Sequence, residues 1–304
     1  MLEDVFKDPH TAEPPPAPPP PGRKSRLPGP AYLLPFLFLV LLGSIVYLFG
    51  LLSFDARSPR DLLEEVRTSA GERRAMAAFE LSRVERYGFS PGERSHFVSD
   101  ATRAFGGEAG KDLRVRRALA LTLGRVGDPL AVPELIGALE DPDVETQLYG
   151  IWALGAIGAR SAVVALLLKL QHEDPGIRKM AAFGLGQIGD PGAASALRVA
   201  LQDPAPDVTW NAAVALARLG DPSSLPVLLP LLLAPSPAAG LPPQQSEELK
   251  VNIIRSLGRM RGEPVDAALR KTAAGDPSLR VRGEARRLLE GRPEPLFPPP
   301  PPGS

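Results

Sequence analysis

The chain has 304 residues with 35 basic and 35 acidic side chains, so it has no net field with which to blanket nucleic acid or anionic lipid. It contains no cysteine, which excludes disulfide scaffolds, thiolate metal sites and cysteine nucleophiles together. Three histidines and four tyrosines leave few general bases, and neither catalytic residues nor a cofactor is expected.

Of 36 prolines, 10 lie in residues 1–30 and 7 in 291–304. Runs such as Pro18 to Pro21 and Pro298 to Pro302 lack amide donors and extend as polyproline II, so both tails are read as disordered spacers. Between them, no charge occurs from Leu27 to Phe54. Ala31 to Phe54 is 24 residues of almost pure apolar character. At ~1.5 Å per residue it reaches roughly 36 Å, enough to cross a ~30 Å hydrocarbon core, so one transmembrane helix is expected over 31–54. No small-x-small cleavage site follows, which favours a retained anchor over a signal peptide. Arg23, Lys24 and Arg26 cluster before the run. They place the N-terminus in the cytoplasm and the following domain outside it.

The centre of the chain repeats. Gly127, Gly158, Gly189 and Gly220 are spaced by 31, in the settings ALTLGRVGDP (120–129), WALGAIGAR (152–160), FGLGQIGDP (183–191) and VALARLGDP (214–222). A period in the 20–50 range signals a solenoid. Val115, Leu119, Leu123 and Val126 recur at helical spacing and form one apolar stripe, which glycine then ends in a left-handed cap. Asp-Pro at 128–129, 190–191 and 221–222 opens the next helix, the aspartate capping and the proline needing no amide. A second Asp-Pro, at 141–142, 174–175, 203–204 and 276–277, turns the chain within each unit. Weaker second helices are read at Arg73 to Val84, Leu249 to Met260 and Leu279 to Leu289. The count is about seven antiparallel helix pairs over 59–290. A Pro- and Ala-rich insertion lies at 234–246, and Arg286 and Arg287 suit a polar terminal cap.

The segment Ile177-Arg178-Lys179-Met180-Ala181-Ala182-Phe183-Gly184-Leu185-Gly186-Gln187-Ile188-Gly189-Asp190-Pro191 resembles the HEAT-repeat signature, in its short phycobilisome-lyase-type form. The resemblance is strong over 112–233. It implies an all-α, right-handed solenoid whose second helices line a concave face. It also implies a docking scaffold for a partner protein or complex subunit, here membrane-anchored. The alternative it implies is an accessory role in chromophore or cofactor attachment. Some HEAT-like proteins are diiron hydroxylases with several His-Glu pairs; here only His172-Glu173 occurs, too few ligands for a closed site. His96 and Asp100 stand four apart and are read as a surface contact rather than part of a triad. No nucleic-acid or small-molecule partner is expected.

Positions 117, 118, 121 and 125 and their counterparts 31 apart are not needed by the core of each second helix, and 117, 121 and 125, spaced by four, form one stripe along it. Along it, Tyr149, Trp152, Phe183 and Trp210 are read as the apolar floor of a partner site, with Arg117, Lys179 and Arg218 at its edges. Aromatic residues ringed by arginine are the composition of a binding hot spot. The column Phe79, Leu121, Trp152, Phe183 and Val214 is equally open to a second reading, packing between neighbouring helices.

Overall fold

A computed structural model describes residues 33–53, 57–83, 89, 91–108, 111–235 and 240–291. The proposed tails 1–30 and 291–304, apart from Gly291, lie outside the described residues, as do Ala31, Tyr32 and Phe54. The chain divides into two compact units, residues 1–56 and 57–304.

The first unit contributes one helix, α1 (Leu33–Ser53). Among the described residues no helix is long and apolar enough to cross a membrane. The expected transmembrane helix over 31–54 is corrected by that finding, and the fold class is an all-helical solenoid with no membrane-crossing helix among the described residues. The single-pass localisation falls with it: neither the cytoplasmic N-terminus nor the extracytoplasmic solenoid has a crossing helix to rest on.

The second unit is helical throughout its described residues and pairs its helices in sequence. The pairs are α2 (Pro59–Thr68) with α3 (Gly71–Leu81), α4 (Pro91–Gly107) with α5 (Leu113–Val126), and α6 (Val132–Gly137) with α7 (Val144–Ile157). They continue as α8 (Val163–Lys169) with α9 (Pro175–Ile188), α10 (Ala194–Ala200) with α11 (Pro206–Leu219), α12 (Leu225–Leu233) with α13 (Pro243–Ser256), and α14 (Glu263–Gly275) with α15 (Leu279–Glu290). Each second helix also packs on the second helix of the next pair, so α3, α5, α7, α9, α11, α13 and α15 form one continuous row.

Local chemistry explains the repeat. Val115, Leu119, Leu123 and Val126 are fully buried, as a stripe at 3–4 spacing must be when one helix face meets the core. Gly127, Gly158, Gly189 and Gly220 end their helices at φ 68, 75, 70 and 79°, a conformation that a Cβ opposes. Asp128, Asp190 and Asp221 then accept the amide two residues on and open a short 3-10 turn into the following helix.

The turns inside the units differ from the expected single pattern. Asp174 caps α9, accepting from the amides of Gly176 and Ile177. Asp141, Asp203 and Asp276 lie two residues earlier in register, outside the caps of α7, α11 and α15. Each accepts the amide two residues on, at 2.9 Å. Each also takes a cation from the preceding second helix: Arg116 Nε to Asp141 (2.6 Å), Arg178 Nε to Asp203 (2.7 Å) and Lys250 Nζ to Asp276 (2.7 Å). In the unit between the first two, Gln147 and His172 stand at these positions. Both charges are absent together, as desolvation of an unpaired ion demands. These ties fix the stacking of one pair on the next, and so the spacing of the second helices that build the surface below.

Candidate functional site

A groove of ≈ 520 Å³ opens across α9, α11 and α13. Phe183 and Gln187 of α9, Trp210, Val214 and Arg218 of α11, and Leu249 of α13 line it. Leu241, from the insertion before α13, closes one side. The groove brings four of the sequence-derived site residues together: Lys179, Phe183, Trp210 and Arg218. Arg117, Tyr149 and Trp152 lie on α5 and α7 and are not among its lining residues.

The reasons differ for each. Arg117 is committed elsewhere: its Nε and Nη2 donate to the two oxygens of Asp143 at 2.8 and 2.7 Å, and its Nη1 meets Glu145 at 2.5 Å. Tyr149 and Trp152 pack against the hydrophobic core. The Trp152 ring reaches over Gly124 of the previous second helix, where a Cβ would come within 2.7 Å of its Cζ3. Lys179 is paired with Asp207 at 2.9 Å, but that pair is largely exposed and lies in the groove itself. Arg218 differs from both cations. It is partly buried, and it has no carboxylate partner among the described residues. Burial pushes its pKa down from the ordinary arginine value, the mark of a guanidinium that has lost water without gaining a counter-charge.

The Arg117–Asp143 tie has a measurable consequence. The Arg117 guanidinium beside Asp143 holds its carboxyl well below the usual carboxylate range. A depressed folded-state pKa gives stability that is complete above the unfolded value of ~3.9 and is lost as pH falls toward the folded one. Urea unfolding followed from pH 7 to pH 2 should therefore show stability falling below about pH 4. Asp143→Asn should flatten part of that fall; an unchanged slope would remove Asp143 as its source.

Sequence reasoning passes over Leu241 and Glu248. Glu248 and Arg259 repeat Asp207 and Arg218 at an offset of 41, because the insertion breaks the period of 31 that had picked out the other positions. His172 Nδ1 accepts the Asp174 amide at 3.0 Å, and Asp100 pairs with Arg103 at 3.2 Å. Among the described residues no three His, Asp or Glu side chains are grouped to hold a metal ion.

Residues 108–170 and 163–239 match the family model described as HEAT repeats. Among curated proteins no sequence matches. The complex of CpcE and CpcF of phycocyanin lyase from Nostoc sp. PCC7120 is similar over 76% of this chain and 94% of that one, at 21% identity and a TM-score of 0.55. That degree of likeness shows a shared fold. Human deoxyhypusine hydroxylase, in complex with glycerol, is aligned over 76% of this chain and 94% of its own at 18% identity and a TM-score of 0.32. A designed armadillo repeat protein in complex with the peptide (KR)4 is aligned over 77% and 99% at 13% identity and 0.42. The last two overlay too loosely to carry an argument.

Proposed function

We propose that the solenoid, whose residues 108–239 match the HEAT-repeat model, is a docking scaffold that holds a segment of a partner protein in the groove of α9, α11 and α13. In this role the chain performs no chemistry of its own. The carrying observation is that Phe183 and Trp210 line an open groove, whereas Tyr149 and Trp152 pack against the core. A large aromatic ring left at a groove wall offers apolar area at little cost in side-chain entropy, which is why such residues dominate binding energies. A role in chromophore attachment has only the shared fold of the phycocyanin-lyase complex behind it, and fold alone does not transmit activity.

The test is a pair of measurements on two variants. Trp210→Ala should weaken partner binding by ~2 kcal/mol or more, about 30-fold, and leave thermal melting nearly unchanged. Trp152→Ala should do the reverse, lowering the melting temperature by several degrees while the folded protein still binds. If Trp210→Ala binds the partner as well as the parent does, the groove is not the docking site.

A further inference from the structure

The charges of the groove are arranged in order along its helices. Asp207 of α11 and Glu248 of α13 occupy one register, and Arg218 and Arg259 occupy another, 11 residues further on in both cases. At ~1.5 Å per residue the acidic and basic ends stand roughly 16 Å apart along the helices. At the acidic end Asp207 is neutralised by Lys179 at 2.9 Å, and Glu248 is exposed. At the basic end Arg255 is paired with Glu284 at 2.7 Å, whereas neither Arg218, in the groove lining, nor Arg259, beside that lining, has a carboxylate partner among the described residues. Arg259 Nη1 donates to the Arg218 carbonyl at 3.4 Å, which brings its guanidinium to the end of α11 that carries Arg218. Between the two ends lie Trp210, Val214 and Leu249.

We propose that this groove recognises an acidic peptide segment of a partner protein, whose carboxylate sits at Arg218 and Arg259 and whose neighbouring apolar side chain covers Trp210. The inference rests on the docking role above and adds the chemistry of what docks. A groove guanidinium without counter-charge, with a second cation reaching the backbone of the same residue, favours an anion, and a carboxylate meets the guanidinium fork with two parallel hydrogen bonds. Trp210 and Arg218 are eight residues apart on one helix, about 12 Å, which roughly four residues of extended chain would span. The preferred segment therefore has an acidic residue three to five positions from a large apolar one. Nucleic acid offers anions too, but residues 58–290 balance 29 basic against 29 acidic side chains and give a polyanion no long-range attraction.

The experiment is selection of a displayed library of random 12-residue peptides on the full chain. The parent protein is run beside Trp210→Ala, Arg218→Gln and the double variant Arg218→Glu with Arg259→Glu. Melting curves of each variant verify folding. The parent should enrich peptides with the acidic–apolar spacing. Arg218→Gln should weaken the best of them by about tenfold or more, the ordinary worth of a charge-assisted bond, and the charge-reversed variant should enrich lysine or arginine in place of the acid. Enrichment that depends on Trp210 but is neutral or basic, or acidic enrichment that survives charge reversal, would overturn the acidic assignment and leave docking intact. No Trp210-dependent enrichment at all would overturn docking itself, and the assignment with it.

Discussion

Arg116→Met is expected to destabilise the solenoid by about 3–5 kcal/mol. Arg116 and Asp141 are 8% and 4% exposed, and Arg116 Nε donates to Asp141 at 2.6 Å. Its Nη1 donates to the Phe105 carbonyl at 2.7 Å, and the guanidinium lies over the Phe105 ring, 4.4 Å from its centre. The side chain thus joins α4, α5 and the turn before α7. Methionine keeps much of its volume and its apolar stem, so the loss comes mainly from leaving Asp141 ionised, buried and unpaired. Adding Asp141→Asn should recover most of that loss, because asparagine still accepts the Asp143 amide that Asp141 now takes at 2.9 Å. The chain already contains the uncharged arrangement one unit later, at Gln147 and His172. Urea unfolding of the single and double variants measures the cycle. A single-variant loss below about 1 kcal/mol would show that the pair contributes no more than an exposed one.

Gly186→Ala is expected to cost about 2–3 kcal/mol, although alanine is ordinarily the better helix former by roughly 0.5–1 kcal/mol. A Cβ at Gly186 would lie 2.7 Å from the Ala215 Cβ and 2.8 Å from its Cα. The obstruction is largely the backbone of α11, so relief requires α9 and α11 to separate. That separation would strain the Arg178–Asp203 tie and widen the groove between Phe183 and Trp210 at once. Gly137→Ala is the control. Gly137 ends α6 with helical angles of φ −58 and ψ −34°, and a Cβ there meets nothing within 4 Å. This substitution should stabilise by about 0.5–1 kcal/mol. Equal effects at the two glycines would mean that close helix approach does not govern the stacking.

The spacing of Gly127, Gly158, Gly189 and Gly220 is visible because a left-handed cap restricts residue choice at that point. The stripe of Val115, Leu119, Leu123 and Val126 is visible because one helix face meets one core. The site was less legible. Arg117 and Lys179 are equivalent in the repeat, yet one is held by Asp143 and Glu145 while the other reaches an exposed aspartate in the groove. Trp152 and Phe183 share a column, yet Trp152 covers Gly124 and Phe183 lines the groove. The hydropathy of residues 31–54 is legible too, but as an isolated run it carried the membrane reading further than the described helix supports.

What the sequence determines by itself is the repeat: where helices begin and end, and which face of each is apolar. Those properties are set by a residue and its neighbours within about a turn of helix, so they survive without knowledge of what packs on them. What only the tertiary structure decides is which side chains of the row of second helices are spent on the next unit and which are left over. The partners of Arg116, Arg117, Arg178 and Lys250 lie 25 to 28 residues away, on the following turn, and become partners only when the pairs stack. Arg218 stands apart for the same reason. When α13 stacks on α11, no carboxylate among the described residues is brought against its guanidinium.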